Sequence, residues 1–298
     1  MKKILFALLA ISITFYSCDD DEDDNQGNLI LNLSGLENLG DNYLYEGWIV
    51  VDGSPVSTGT FSVDDDGELS ATSFAIDGAM LDAATTFVLS IEPSPDSDPA
   101  PSATKILGGD FSGNTASATI MHAAAFGTGF GSVTGGYILA TPTTTIDTDE
   151  ASGVWFLDNS TGSPAIGLKD LPDLSDQAGW TYEGWAVIDG TPVSTGTFDM
   201  AAGFDDNATT TAFKGDDGDG PAFPGEDFIQ NAPSGMTFPT DLKGATIVIS
   251  IEPVPDNSSA PFTLKPLAGE VPATLADHTF QTMDNIASST YPSGTISR

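Results

Sequence analysis

The chain has 298 residues with 43 acidic side chains against 8 lysines and arginines, a formal net charge of −35 at pH 7. So acidic a chain repels phosphate backbones and anionic lipid headgroups, which argues against a nucleic-acid partner and against electrostatic attachment to a membrane. Its one cysteine, Cys18, rules out an intramolecular disulfide framework.

Lys2 and Lys3 precede an apolar run from Ile4 to Phe15, and the small residue Ser17 stands before Cys18. A positive start, a short apolar run and a small residue at the cleavage point read as a secretory signal peptide over residues 1–17. The run falls short of the roughly 20 apolar residues that a transmembrane helix needs, and no later stretch is long enough to span a bilayer. Phe15-Tyr16-Ser17-Cys18 resembles the lipobox of bacterial lipoproteins, with Phe15 where Leu is more usual. The resemblance implies cleavage before Cys18 and attachment to a membrane through lipid on its sulfur; the alternative is an ordinary secretory signal with an incidental cysteine. Loss of residues 1–17 removes two lysines and no acids, leaving a net charge of −37.

Asp19, Asp20, Asp21, Glu22, Asp23 and Asp24 follow directly. Six adjacent acids repel one another and stay solvated, so residues 18–28 read as a disordered tether carrying the lipidated cysteine. The run is also similar to the surface-export signal of lipoproteins in one large group of Gram-negative bacteria. That similarity implies an extracytoplasmic protein of the outer membrane, on the cell surface in preference to the periplasmic face.

An internal repeat organises the remainder. Tyr45–Phe61 (YEGWIVVDGSPVSTGTF) recurs 137 residues later at Tyr182–Phe198 with 14 of 17 positions identical. Ile91–Asp96 (IEPSPD) recurs at Ile251–Asp256 (IEPVPD) with the larger offset of 160. The extra 23 residues are an insertion in the second copy, within about 204–244. The copies are expected at 29–145 and 150–298.

Each copy reads as β. Tyr43–Val51 is rich in Tyr, Trp, Ile and Val and apolar on both faces, as a central strand requires. Asp52-Gly53 signals a hairpin turn, Pro55 suits a turn better than a ladder, and Val56–Val63 supplies the return strand. Further strands are expected at Leu29–Leu33, Phe87–Ile91, Lys105–Leu107, Ala118–Met121, Gly136–Ala140 and Val154–Leu157. No helical period persists for three turns. The expectation is an all-β chain of two tandem Ig-like β-sandwich modules. The insertion, with Gly215-Asp216-Asp217-Gly218-Asp219-Gly220, reads as a mobile loop.

The repeated blocks resemble the C-terminal extracytoplasmic domain of the anti-sigma-K factor (RskA-type) family. The matching features are Trp48, Asp52-Gly53, Gly59-Thr60-Phe61 and Glu92-Pro93, then Trp185, Asp189-Gly190, Gly196-Thr197-Phe198 and Glu252-Pro253. An anti-sigma factor also needs a cytoplasmic helical segment and a transmembrane helix, which this sequence lacks. The resemblance therefore carries the fold and not sigma-factor regulation.

Glu46 and Glu92, with Glu183 and Glu252, are repeated acids of the kind paired in glycosidases. The alternative is that they are ion-paired or hydrogen-bonded inside each module, with Lys105 and Lys265 as candidate partners. Ser102 to Lys105 fits the S-x-x-K pattern of penicillin-binding enzymes, but S-D-N and K-T-G are absent, and the second copy has Phe262 in place of the serine. His122 and His278 are too few for a zinc site without cysteines. The acid-rich turns Asp64–Glu68 and Asp216–Asp219 are candidates for calcium but lack the EF-hand register. Trp48 and Trp185 read as core residues, and Trp180, nearer a turn, as the exposed aromatic. No catalytic residue, cofactor or metal site is assigned. Two functional classes remain: a non-enzymatic surface module for recognition, adhesion or structure, binding an extracytoplasmic protein or glycan, and an accessory of envelope signalling acting through a protein partner.

Overall fold

A computed structural model describes residues 26–256 and 258–298. The expected signal peptide, Cys18 and its acidic run lie outside the described residues.

The first copy forms β1 (Gln26–Ser34), β2 (Tyr43–Val51), β3 (Ser54–Phe61), β4 (Ser73–Asp77), a short helix α1 (Gly78–Ala83), β5 (Thr86–Pro93), β6 (Lys105–Ser112), β7 (Thr115–Thr119) and β8 (Gly135–Leu139). Then come β9 (Gly153–Trp155), the small pair β10 (Leu157–Asp158) and β11 (Ala165–Ile166), β12 (Trp180–Ile188), β13 (Thr191–Phe198), β14 (Gly225–Asp227), β15 (Thr246–Pro253), β16 (Leu267–Glu270), β17 (Gln281–Asn285), the helical turn α2 (Ala287–Thr290) and β18 (Ser293–Ser297). The all-β expectation holds. The Ig-like pairing does not, because the strands of each module join into one continuous antiparallel sheet of eight rather than two facing sheets.

The two sheets have one plan. Their strand orders are β3-β2-β5-β6-β7-β18-β1-β4 and β13-β12-β15-β16-β17-β8-β9-β14. Position by position, the last strand of each sequence copy sits in the other copy's sheet. β18 lies between β7 and β1, while β8 lies between β17 and β9. The second sheet is thus built from the contiguous stretch 135–285, and the first is closed by residues 293–297. Sequence copies at 29–145 and 150–298 therefore do not coincide with the sheets. Their local blocks repeat, but pairing at the sixth position of each sheet is settled by a partner far away in the chain.

The exchanged strands share a short pattern, Gly136-Tyr137-Ile138 and Gly294-Thr295-Ile296. Both glycines are pressed against neighbouring backbone: a Cβ on Gly294 would lie 2.1 Å from the Asn32 carbonyl oxygen, and one on Gly136 2.3 Å from that of Gln281. Ile296 is fully buried and Ile138 nearly so. Beyond β18, the Arg298 guanidinium donates to the carbonyls of Leu81, Ala84 (2.7 Å) and Gly113 (3.1 Å) and stacks 4.4 Å over the Phe111 ring. That side chain fastens the strand to the first module.

Local chemistry explains the hairpins. Asp52 and Gly53 have φ of 50° and 78°, and Asp189 and Gly190 have 48° and 82°, the pair of positive φ values that a two-residue type I′ turn requires. Pro55 differs from expectation: it lies within β3, opposite Val50. An edge strand tolerates the missing N–H, since one row of its backbone groups has no ladder to join. The insertion also differs, because it contributes β14, the edge strand standing where β4 stands in the first sheet. Each sheet curls so that its two edges pack together, with Phe61 of β3 6.2 Å from Phe74 of β4.

The main core is one cluster running through both sheets, with Tyr45, Phe87, Leu89 and Ile106 in the first and Phe156, Tyr182, Ile249 and Leu267 in the second, and a small second cluster holds Ile138, Ala140, Trp155 and Leu157. The segments that carry the chain across, 120–134 and 286–292, pass against each other. The Asn285 amide donates to the carbonyls of Phe130 (2.9 Å) and Val133 (2.8 Å), and Phe130 meets Tyr291 edge-on at 5.8 Å. Ile296→Ala should therefore cost about 3 kcal/mol, the usual range for a large-to-small change at a closed core position. Chemical denaturation checks this, and a loss under about 1 kcal/mol would mean that β18 contributes little to the first sheet.

Candidate functional site

Glu46, Trp48, Ser90 and Glu92 come from the two longest-paired neighbours, β2 and β5. Pairing sets Glu46 opposite Ser90 and Leu44 opposite Glu92. With side chains alternating along each strand, the four residues share one face. The Trp48 indole N–H donates to Ser90 Oγ at 2.8 Å, Ser90 Oγ donates to Glu92, and the Ser102 backbone N–H donates to Glu92 Oε1 at 2.9 Å. Beside them Ser57 Oγ donates to Glu46.

The second module repeats this arrangement. Trp185 donates to Ser250 Oγ at 2.8 Å, Ser250 to Glu252, and the Phe262 N–H to Glu252 Oε1 at 2.9 Å, while Ser194 donates to Glu183. All four glutamates are buried, between 0% and 8% exposed. Burial pushes Glu183 and Glu252 up to about 7, with the serine hydroxyls pulling the other way, and burial likewise raises Glu46. These acids are closed off inside the modules, each accepting on one carboxylate oxygen.

The lysines do not pair with them. Lys105 Nζ donates to the Ser102 carbonyl at 2.7 Å, while Ser102 Oγ donates to the Ile91 carbonyl at 2.8 Å. The S-x-x-K match is therefore a closed turn, with neither side chain activating the other. The partners of the repeated glutamates are serines and backbone N–H groups: Glu46 and Glu183 tie β2 to β3 and β12 to β13, Glu92 and Glu252 anchor the loops at Ser102 and Phe262, and the indoles of Trp48 and Trp185 bridge to the serines of β5 and β15. A hydrogen bond to a charged group contributes roughly 1.5–3 kcal/mol.

His122 and His278 lie apart, each beside a single acid: His122 Nε2 is 3.2 Å from Asp110 and His278 Nε2 is 3.7 Å from Glu150. In the Asp64–Glu68 turn, Asp64 Oδ1 accepts the N–H groups of Asp66 (3.0 Å) and Glu68 (2.9 Å), while Asp65 accepts from Asn38. In the other acid-rich turn, the Asp217 N–H donates to the Thr143 carbonyl and Asp219 pairs with Lys214. Among the described residues, no group of three or more potential ligands is gathered as a metal would need. Trp180 reverses its expectation. It is 2% exposed, packed 4.8 Å from Phe126 and 6.1 Å from Phe262, because the crossing segment 120–134 covers what would otherwise be an open turn.

One buried acidic group had no signal in the sequence. Asp227 of β14 is fully buried, accepting from Trp155 Nε1 (2.7 Å), the Thr143 N–H (2.9 Å) and the Thr143 hydroxyl (2.5 Å). Burial raises it to about 6, and its neighbours Glu226 and Asp205 to about 8 and about 6. Thr143 Oγ1 in turn accepts the Gly215 N–H at 2.8 Å, so this group fastens the inserted segment to the sheet.

Fold and site together define an all-β tandem module whose repeated polar residues serve its framework. The family model described as anti-sigma-K factor rskA, C-terminal, matches residues 22–105, from the chain before β1 to the start of β6. The resemblance seen in the sequence is thus borne out over residues 22–105, within the first copy. No curated protein and no solved structure matches the chain.

The raised carboxyls give a pH dependence with a fixed sign. Folded values near 7 for Glu183 and Glu252 stand above their ordinary value of 4.5, so the folded protein binds more protons than the unfolded chain between those pH values. Their contribution is fully present below about 4.5 and lost as pH rises through about 7. The double variant Glu183→Gln, Glu252→Gln should flatten this fall when denaturation midpoints at pH 5 and pH 8 are compared. An unchanged slope would show that these two acids are not the ones titrating.

Proposed function

We propose that the chain is a lipid-anchored, non-enzymatic protein of the cell envelope whose two β modules act by presenting their surface to an extracytoplasmic protein or glycan. The observation that carries this reading is the fate of the repeated carboxylates. Glu46, Glu92, Glu183 and Glu252 are buried and held by the same serine and backbone donors in each module. What the duplication preserves is therefore a framework, and what remains for a partner is the outside. Supporting the anchor are the apolar run Ile4–Phe15, Cys18 behind Ser17, and the acids Asp19–Asp24. A chain of this charge needs lipid to stay at an anionic surface.

A second reading is favoured by the match of residues 22–105 to the anti-sigma-K factor C-terminal domain. In it the module is an accessory of envelope signalling that works through a protein partner. No helix among the described residues is long and apolar enough to cross a membrane, so lipid on Cys18 would supply the attachment in this case too.

Protease treatment of intact cells tests the arrangement. The wild-type chain should be shaved from the surface, a form lacking Asp19–Asp24 should be protected, and Cys18→Ala should leave the membrane fraction. Protection of the wild type until the outer membrane is opened would overturn surface display and put the signalling reading first.

A further inference from the structure

The first sheet is completed by a strand delivered from the far module, and the connection that delivers it is short. β18 is joined to β17 through residues 286–292 alone. In its slot every residue from Ser293 to Ser297 is paired on both sides, with Thr119 to Thr115 of β7 and with Ser34 to Ile30 of β1. The slot reads the strand through the crowded Gly294, the buried Ile296 and the carbonyls that receive Arg298. None of these contacts depends on which chain supplies the strand.

We propose that this slot also accepts β18 from a second copy of the chain, so that the protein assembles by strand exchange. The bonds made by β18 itself are the same in the exchanged and closed forms. The balance between them is set by the effective concentration of the chain's own strand against that of its neighbours. Such exchange is a low-cost route to association when one element is already held by a connection that can swing away. β8 cannot take part in the same way, since it runs on into β9 of the sheet that holds it. Exchange through β18 alone is head-to-tail: each chain gives one strand and receives one. Two chains close into a reciprocal dimer, and longer assemblies extend in one direction. The net charge of −35 opposes the approach of two copies at low salt, so exchange rises as salt screens that repulsion.

Asn32 and Thr295 are opposed in the β1–β18 ladder and both are exposed, which makes them benign reporters. Full-length chains carrying Cys18→Ser, with either Asn32→Cys or Thr295→Cys, are mixed at high concentration, taken through the denaturation midpoint, refolded and treated with a short bismaleimide. The expected product is the mixed heterodimer, at about tenfold the yield of either homodimer and rising with protein concentration and salt. A chain bearing both cysteines should cross-link internally when dilute, which reports the closed form. Heterodimer no more abundant than the homodimers, while that internal cross-link forms normally, overturns the proposal.

Discussion

A strand in the interior of a sheet must satisfy two rows of backbone donors and acceptors, and in the first sheet β7 and β1 both satisfy theirs through residues 293–297. Without β18 they would face each other across a gap as two open edges, the arrangement that soluble β proteins avoid. Much else follows from that constraint. Sheet one cannot be complete without sheet two, the crossing segments must pass one another, and the aromatic residues Phe126, Phe130, Trp180 and Tyr291 fill the place where they do. The two modules therefore share one main core, although the sequence repeats as if each were independent.

Acidic residues occupy two distinct environments. Most are at the surface, where they give the chain its charge and form local turns such as Asp64–Glu68. A smaller set is buried; Asp158 pairs with Lys169, while Glu46, Glu92, Glu183, Glu252 and Asp227 are held by neutral donors: a hydroxyl, an indole N–H or a main-chain N–H. With so few bases in the chain, ion pairing is not available as the general solution. Hydrogen bonding is the remaining way to keep a carboxyl inside without the full cost of desolvation. The raised carboxyls are the residue of that cost, and at Glu46 and Glu183 the same burial and the same serine donor recur in both modules.

What the sequence revealed was local. Asp52-Gly53 and Asp189-Gly190 disclosed their hairpins because a type I′ turn depends on two adjacent residues. Tyr43–Val51 disclosed a central strand because both its faces are apolar. Pairing between distant segments left no such mark. Ser293–Ser297 is small and polar apart from Ile296, so nothing in it announces an interior strand; only its Gly-x-Ile likeness to residues 136–138 hints at a shared place. β4 and β14 escaped notice because edge strands need no continuous apolar pattern. Trp180 looked exposed because its cover comes from residues 120–134, and Asp227 looked like one more loop acid because Trp155 and Thr143, its donors, are more than seventy residues away. The repeated glutamates were legible as structural, while their serine partners were not, since a single hydroxyl carries no periodic signal.

The position of β18 also bears on how the protein is made. A ribosome adds about 5–20 residues each second, and more than 170 residues separate β7 from the strand that must lie beside it. For roughly ten to thirty seconds of synthesis, then, the first half of the chain has no means of closing its sheet. A nascent chain that cannot finish its first sheet is kept from locking into its final form until β18 has been made, so that sheet closes only once residues 293–297 have been translated.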